Sequence, residues 1–147
     1  MEAEKIISLN EREKIKAAIQ EAEKITSGEI RVFVEDTCTV DVLDRAAHLF
    51  RKLKLDLTRE RNGVLIYVSV IDHKFAIIGD AGIHKIVKDD FWNKMRDDML
   101  EHFKQGHIPT GIIYAVQEAA KVLAAHFPCK KDDANELSDE IVFNEPE

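Results

Sequence analysis

Five side chains with hard oxygen donors, Glu29, Asn62, Asp80, Asp89 and Asp90, stand beside glycines or at the edges of patterned segments. Ca2+ and Mg2+ are held by several carboxylate, amide and carbonyl oxygens, so these residue types suit a hard divalent cation. Gly63, Gly79 and Gly82 lie in the same stretches and let backbone carbonyls come close. Carboxylates forced together repel one another, and a bound cation relieves that repulsion. A blander reading competes. Asp89 and Asp90 also suit a helix N-terminus, and Asn62-Gly63 and Gly79-Asp80 also suit turns. A second acidic group, Glu35, Asp36, Asp41 and Asp72 with His73, is a rival site with its own bland reading as solvated loops.

Other chemistries find less support. The six histidines show no His-x-x-x-His or His-Glu-x-x-His spacing. His84 follows Asp80 closely enough to act as an acid or base there, although solvent exposure explains it as well. Cys38 and Cys129 belong to no Cys-x-x-Cys pair, which argues against zinc. The Cys-x5-Arg phosphate cradle fails because position 44 is Asp44. A serine nucleophile elbow, a Walker loop and a Gly-x-Gly-x-x-Gly turn are all absent. Asp132-Asp133-Ala134-Asn135-Glu136 lacks the glycine an EF-hand loop needs.

The elements that must position the acids follow from hydrophobic period. Residues 8–26 repeat apolar side chains at three and four, with Ser8 and Glu11 as a capping box and Ser27-Gly28 as the stop. Residues 29–35 alternate as a strand. A second helix covers 42–53 through Leu43, Ala46, Ala47, Phe50 and Leu53. Residues 64–70 are nearly all apolar, as in a central strand covered on both faces. Asp72-His73 turns the chain into a returning strand at 74–78, followed by a loop at 79–82. Helical period resumes at Asp89 through Phe91, Met95, Met99 and Phe103, with Trp92 beside them as core. A last helix runs from about Thr110 to His126, and Pro128 stops it.

The expected fold class is therefore α/β: a small central mixed sheet between helices, in the order α-β-α-β-β-α-α. The first two strands flank a helix and should be parallel with a right-handed crossover. The third should be antiparallel to the second. This wiring sends Ser27-Gly28-Glu29, Arg61-Asn62-Gly63 and Gly79-Asp80-Ala81-Gly82 to one end of the sheet, with Asp89-Asp90 nearby. Asp80 and Asp89 are the expected metal ligands, supported by Asp90, Glu29 and Asn62.

Length and charge set the frame. The chain has 147 residues, 45% hydrophobic and 33% charged, which suits one soluble domain. The net charge is −7, and residues 128–147 supply most of it through seven acids against two lysines. This repels a phosphate backbone, so nucleic acid is not an expected partner. No apolar run reaches the roughly 20 residues that span a bilayer, and the N-terminus lacks a signal-peptide core, so no membrane partner is expected. The expectation is a cytoplasmic protein with reduced thiols. It divides into an α/β domain at 8–127 and an acidic C-terminal tail at 128–147.

The stretch 61–127 resembles the TPM domain family. The resemblance rests on Asn62-Gly63-Val64-Leu65-Ile66, on Ile77-Ile78-Gly79-Asp80-Ala81-Gly82-Ile83, on Asp89, and on Phe103-Lys104-Gln105-Gly106 before a helix carrying Gly111. The first helix and Ser27-Gly28-Glu29-Ile30 extend it to about 8–127. The family implies an α/β sandwich, Ca2+ or Mg2+ binding and a weak acid-phosphatase activity, with Asn62, Asp80 and Asp89 as the positions carried over. Members often hold Asp where this chain has Asn62, which removes one negative charge and should weaken a divalent site. The expected function is divalent-cation binding with weak phosphomonoesterase activity. The alternative expectation is a non-enzymatic module for a protein partner.

Overall fold

The computed structural model describes residues 5–129 and 141–143. Helix α1, Leu9–Ile25, starts where Ser8 and Glu11 close the capping box: the Glu11 amide donates to Ser8 Oγ at 3.2 Å and the Ser8 amide to Glu11 Oε1 at 2.9 Å. It buries Ile15, Ile19 and Ala22. Its end differs from the glycine stop expected at Ser27-Gly28. The cap is Thr26 in an extended conformation, with its amide on the Ala22 carbonyl. Gly28 sits in a tight place, where a Cβ would stand 2.8 Å from a Leu123 methyl and 3.2 Å from the Asn62 carbonyl oxygen.

Strand β1, Glu29–Glu35, is buried along its whole length. Helix α2, Val42–Lys52, is capped by Asp41, whose carboxylate accepts from the Leu43 and Asp44 amides at 3.1 Å each. A short 3-10 turn at Leu55–Leu57, without a sequence signal of its own, leads into β2, Gly63–Ser69, which is fully buried. Strand β3 is Lys74–Gly79.

Helix α3 spans Ala81–Lys104 and begins eight residues before the helical period at Asp89 becomes legible. Its first part and its longer second part meet at Lys88, where φ is 60° and the helix kinks. The kink rotates the apolar stripe between the two parts, so no single 3.6-residue period runs through both. Helix α4, Ile108–His126, carries Pro109 in its first turn, where no amide bond is lost.

The sheet order is β3-β2-β1-β4, where β4 is Val142–Phe143. β1 and β2 are parallel and β2 and β3 antiparallel, as the chain order requires. The fourth strand is an addition to the expected topology, because two residues carry no readable period. The rest of the acidic tail, 130–140 and 144–147, lies outside the described residues, as does the rejected EF-hand stretch.

Alternation along the strands divides the core. Ile30, Val32, Val34, Val64, Ile66 and Val68 face α1, α3 and α4, meeting Ile15, Ile19, Met95, Met99, Val116 and Leu123. Phe33, Leu65, Tyr67 and Ala76 face α2, meeting Ala46, Leu49 and Phe50. The result is three layers: three helices, the sheet, and α2. Among the described residues no helix is long and apolar enough to cross a membrane.

Candidate functional site

Register decides which acids meet. Glu29 opposes Gly63 across the parallel pair, and Val64 opposes Gly79 across the hairpin. The starts of β1 and β2 and the end of β3 therefore share one rim. Glu29, Asn62 and Asp80 are all there, and all are buried.

Asp80 is the N-cap of α3. Its Oδ1 accepts from the Ala81 amide at 2.7 Å. The same carboxylate is gripped on both oxygens by Arg61, with Nε to Oδ2 at 2.6 Å and Nη2 to Oδ1 at 2.8 Å. This is the two-pronged geometry in which arginine binds carboxylates most strongly. The pair is lopsided: the Arg61 side chain is 54% exposed and that of Asp80 8%. Asp80 holds the Arg61 guanidinium above its usual pKa, first by the hydrogen bond and then by charge attraction. Arg61 adopts a left-handed conformation, with φ 54°, which aims it back at the start of α3.

The Arg61 turn is held on three sides. The Arg61 amide donates to the Thr58 carbonyl at 3.3 Å, and the Asn62 amide to Thr58 Oγ1 at 3.1 Å. The Gly82 amide donates to the Arg61 carbonyl at 2.7 Å. Gly82 permits this approach because any Cβ there would fall 2.1 Å from the Glu60 carbonyl oxygen. Across the turn, Ser27 Oγ donates to Glu60 Oε2 at 3.0 Å. The Asn62 side-chain amide reaches the same two groups at 3.3 and 3.4 Å. The 60–62 turn is thus engaged by two carboxylates: Asp80 holds the Arg61 side chain, and Glu60 bonds the Ser27 hydroxyl and the Asn62 side-chain amide.

Asp89 and Asp90 stand nine and ten residues beyond Asp80 along the chain, at the start of the second part of α3. Both are exposed and follow the Lys88 kink. Asp89 lies 3.7 Å from His84 Nε2, and the His84 ring accepts on Nδ1 from Trp92 Nε1 at 2.9 Å. Among the described residues, no three His, Cys, Asp or Glu side chains gather as ligands of one ion.

The rival acids at the opposite end have structural work. Glu35 accepts from Arg45 at 2.9 and 3.0 Å and from the Tyr67 hydroxyl. Burial, and then that bond, raises the Tyr67 pKa above the usual phenol range. Asp72 accepts from the Cys38 amide and from Ser69, and Asp41 caps α2. A groove of about 360 Å³ between α3 and α4 contains Asp98, but the Tyr114 hydroxyl and Lys94 already engage that carboxylate at 2.5 and 3.0 Å.

Sequence reasoning brought Ser27 and Arg61 to this rim within the converging segments but gave neither a role, and it did not single out Glu60. Arg61 lay in one of the converging segments, but nothing local shows that its side chain folds back on Asp80. Glu60 meets Ser27 only through the β1–β2 register.

A parallel–antiparallel sheet covered by one helix on one face and three on the other, with an acidic rim at the strand starts, defines a small α/β sandwich class. Within it, the chain belongs to the TPM domain family, whose profile matches residues 1–122. It is similar to the BA42 protein of the psychrophilic bacterium Bizionia argentinensis, solved by NMR. That match has 46% identity and a TM-score of 0.87, covering 94% of this chain and 95% of that one. Two more distant solution structures share the fold. One is the N-terminal domain of a P. gingivalis protein, with 18% identity, TM-score 0.66, and 83% and 79% of the two chains covered. The other is the N-terminal domain of the cg2496 protein of Corynebacterium glutamicum, with 12% identity, TM-score 0.64, and 88% and 81% covered. No curated protein matched.

Proposed function

We propose that this TPM domain binds a hydrated divalent cation, Mg2+ or Ca2+, at the rim formed by Asp80, Asn62 and Glu60, with Glu29 beside them. The observation that supports it is that Asp80 and Glu60 both engage the 60–62 turn, which also carries the Asn62 side-chain amide, with the Ser27 hydroxyl bonded to Glu60. The donor set is all oxygen, which suits a hard ion. One or two carboxylates are enough for an ion that keeps several waters, as Mg2+ does. The residues fit such a loosely held ion and do not fit a fully protein-caged one. Asp89 and Asp90, expected in the same cluster, belong at most to an outer edge of the site.

Arg61 sets the condition for binding. Its guanidinium already neutralises Asp80, and its exposed side chain can swing into solvent. An incoming ion exchanges with it, so affinity is modest and salt-dependent. The same pairing favours the second reading, a non-enzymatic interaction module, because Asp80 is satisfied without any ion. Phosphomonoester hydrolysis is the finer reading implied by the family. An aryl phosphate tests it, with metal-dependent turnover that Asp80→Asn removes as the supporting result.

Thermal unfolding in Ca2+ or Mg2+ separates the two main readings. A ligand of the folded state raises the melting temperature in proportion to its binding free energy. The expected result is a rise that Asp80→Asn removes and Asp89→Asn leaves in place. No rise in the wild type, or a rise unaffected by Asp80→Asn, contradicts the rim site.

A further inference from the structure

The outer edge of β1 has a tenant. Residues Val142–Phe143 pair with it in parallel, Val142 opposite Phe33 and Phe143 opposite Val34. Successive side chains of a strand point to opposite faces, and the segment uses both. Ile141 packs into the core shared with α1, α3 and α4, and Val142 into the core beneath α2. The edge therefore offers a backbone ladder and two apolar sockets, one on each face. Ile141-Val142-Phe143 is also the only run of three apolar residues between 128 and 147, and it is set between Asp139-Glu140 and Glu145.

The hold is slight. The pairing covers two residues, whereas β1 and β2 pair over seven. Each hydrogen bond adds only about 1 kcal/mol net. The segment belongs to the same chain, which gives it an effective concentration on the order of millimolar. An exposed edge beside a buried strand would invite pairing with other chains, which proteins normally prevent by covering it.

We propose that the outer edge of β1 is a strand-binding site, that the chain's own segment 141–143 is its resident occupant, and that this occupant is exchangeable. What the site accepts is an extended, proline-free peptide with adjacent apolar residues, one for each face, entering parallel to β1. Such strand addition takes its affinity from the backbone and its specificity from the alternate side chains. This inference does not depend on the cation site.

The test uses the full-length chain and a synthetic peptide of residues 138–145 as probe. In the wild type the tethered segment competes, and the peptide binds only at millimolar concentration. In the double variant Ile141→Ser, Val142→Glu the sockets are vacated. Peptide affinity should rise at least about tenfold, with NMR shifts at Phe33 and Val34. A folded double variant that binds no tighter than the wild type overturns the proposal. If the variant fails to fold, amide hydrogen exchange of the wild type decides. Exchange of 142 and 143 through local opening, while β1–β2 amides wait for global unfolding, supports an exchangeable occupant. Equal protection of both overturns it. Concentration-dependent dimerisation of the wild type with the same β1 shifts would also support the site, with a second copy's segment as occupant.

Discussion

Replacing Gly82 by alanine should destabilise the protein, and the sign is the informative part. Gly82 is the second residue of α3, where alanine is the better helix former by up to about 1 kcal/mol. Propensity alone therefore predicts a gain. The packing predicts a loss. A Cβ at 82 would stand 2.1 Å from the Glu60 carbonyl oxygen and 2.6 Å from that of Arg61. Both are backbone atoms and cannot rotate away, so the helix start and the 60–62 turn must separate by more than an ångström. Overpacking of this kind costs about 1–3 kcal/mol. The 2.7 Å bond from the Gly82 amide to the Arg61 carbonyl would go as well, at about 1 kcal/mol. The net expectation is a loss of about 1–3 kcal/mol. For a chain of this size that lowers the melting temperature by roughly 3–10 °C. Thermal and urea unfolding followed by circular dichroism measure it, and amide shifts at Glu60, Arg61 and Asn62 should move with it. A melting temperature unchanged or raised would refute the docking of α3 on this turn, and with it the placement of Asp80 against Arg61.

Tyr67→Phe removes a donor from the buried Glu35 carboxylate and should cost about 1–2 kcal/mol in urea unfolding at neutral pH. It should also change the alkaline limb of stability. The folded-state pKa of Tyr67 is raised, so its contribution is complete below the unfolded phenol value of about 10 and is lost as pH climbs above it. The wild type should lose stability there more steeply than the variant, and parallel alkaline limbs would count against the buried bond. Ser8→Ala opens the capping box and should lower stability by about 0.5–2 kcal/mol, read by thermal unfolding; no change would mean the first turn of α1 frays in solution.

What was legible in the sequence follows from what period can encode. The alternation of Ile30, Val32 and Val34, the unbroken apolar run of β2 and the Ser8–Glu11 box each signal locally, and they yielded the elements and the strand directions. Direction alone then brought Glu29, Asn62 and Asp80 to one rim. The first part of α3 was unreadable, because the Lys88 kink cuts the stripe of a helix that starts at Ala81. The helix start read at Asp89 is where the second part of α3 begins, directly after Lys88; what period did not show is the first part, Ala81 to Lys88, which separates Asp89 and Asp90 along the chain from Asp80. Two-residue β4 has no period to read. The Arg61 pair with Asp80 was hidden for a different reason: a left-handed backbone at a non-glycine residue leaves no mark in composition, yet it aims the guanidinium.

The most direct measurement of the cation site is a residue-by-residue NMR titration of the wild-type chain with Mg2+ and then Ca2+. Saturable shifts should centre on Ser27, Glu60, Arg61, Asn62 and Asp80, with the Arg61 side-chain signal moving as its guanidinium leaves the carboxylate. Shifts confined to the Glu35–Asp72 end or to Asp89 and Asp90, or none that saturate, would contradict it.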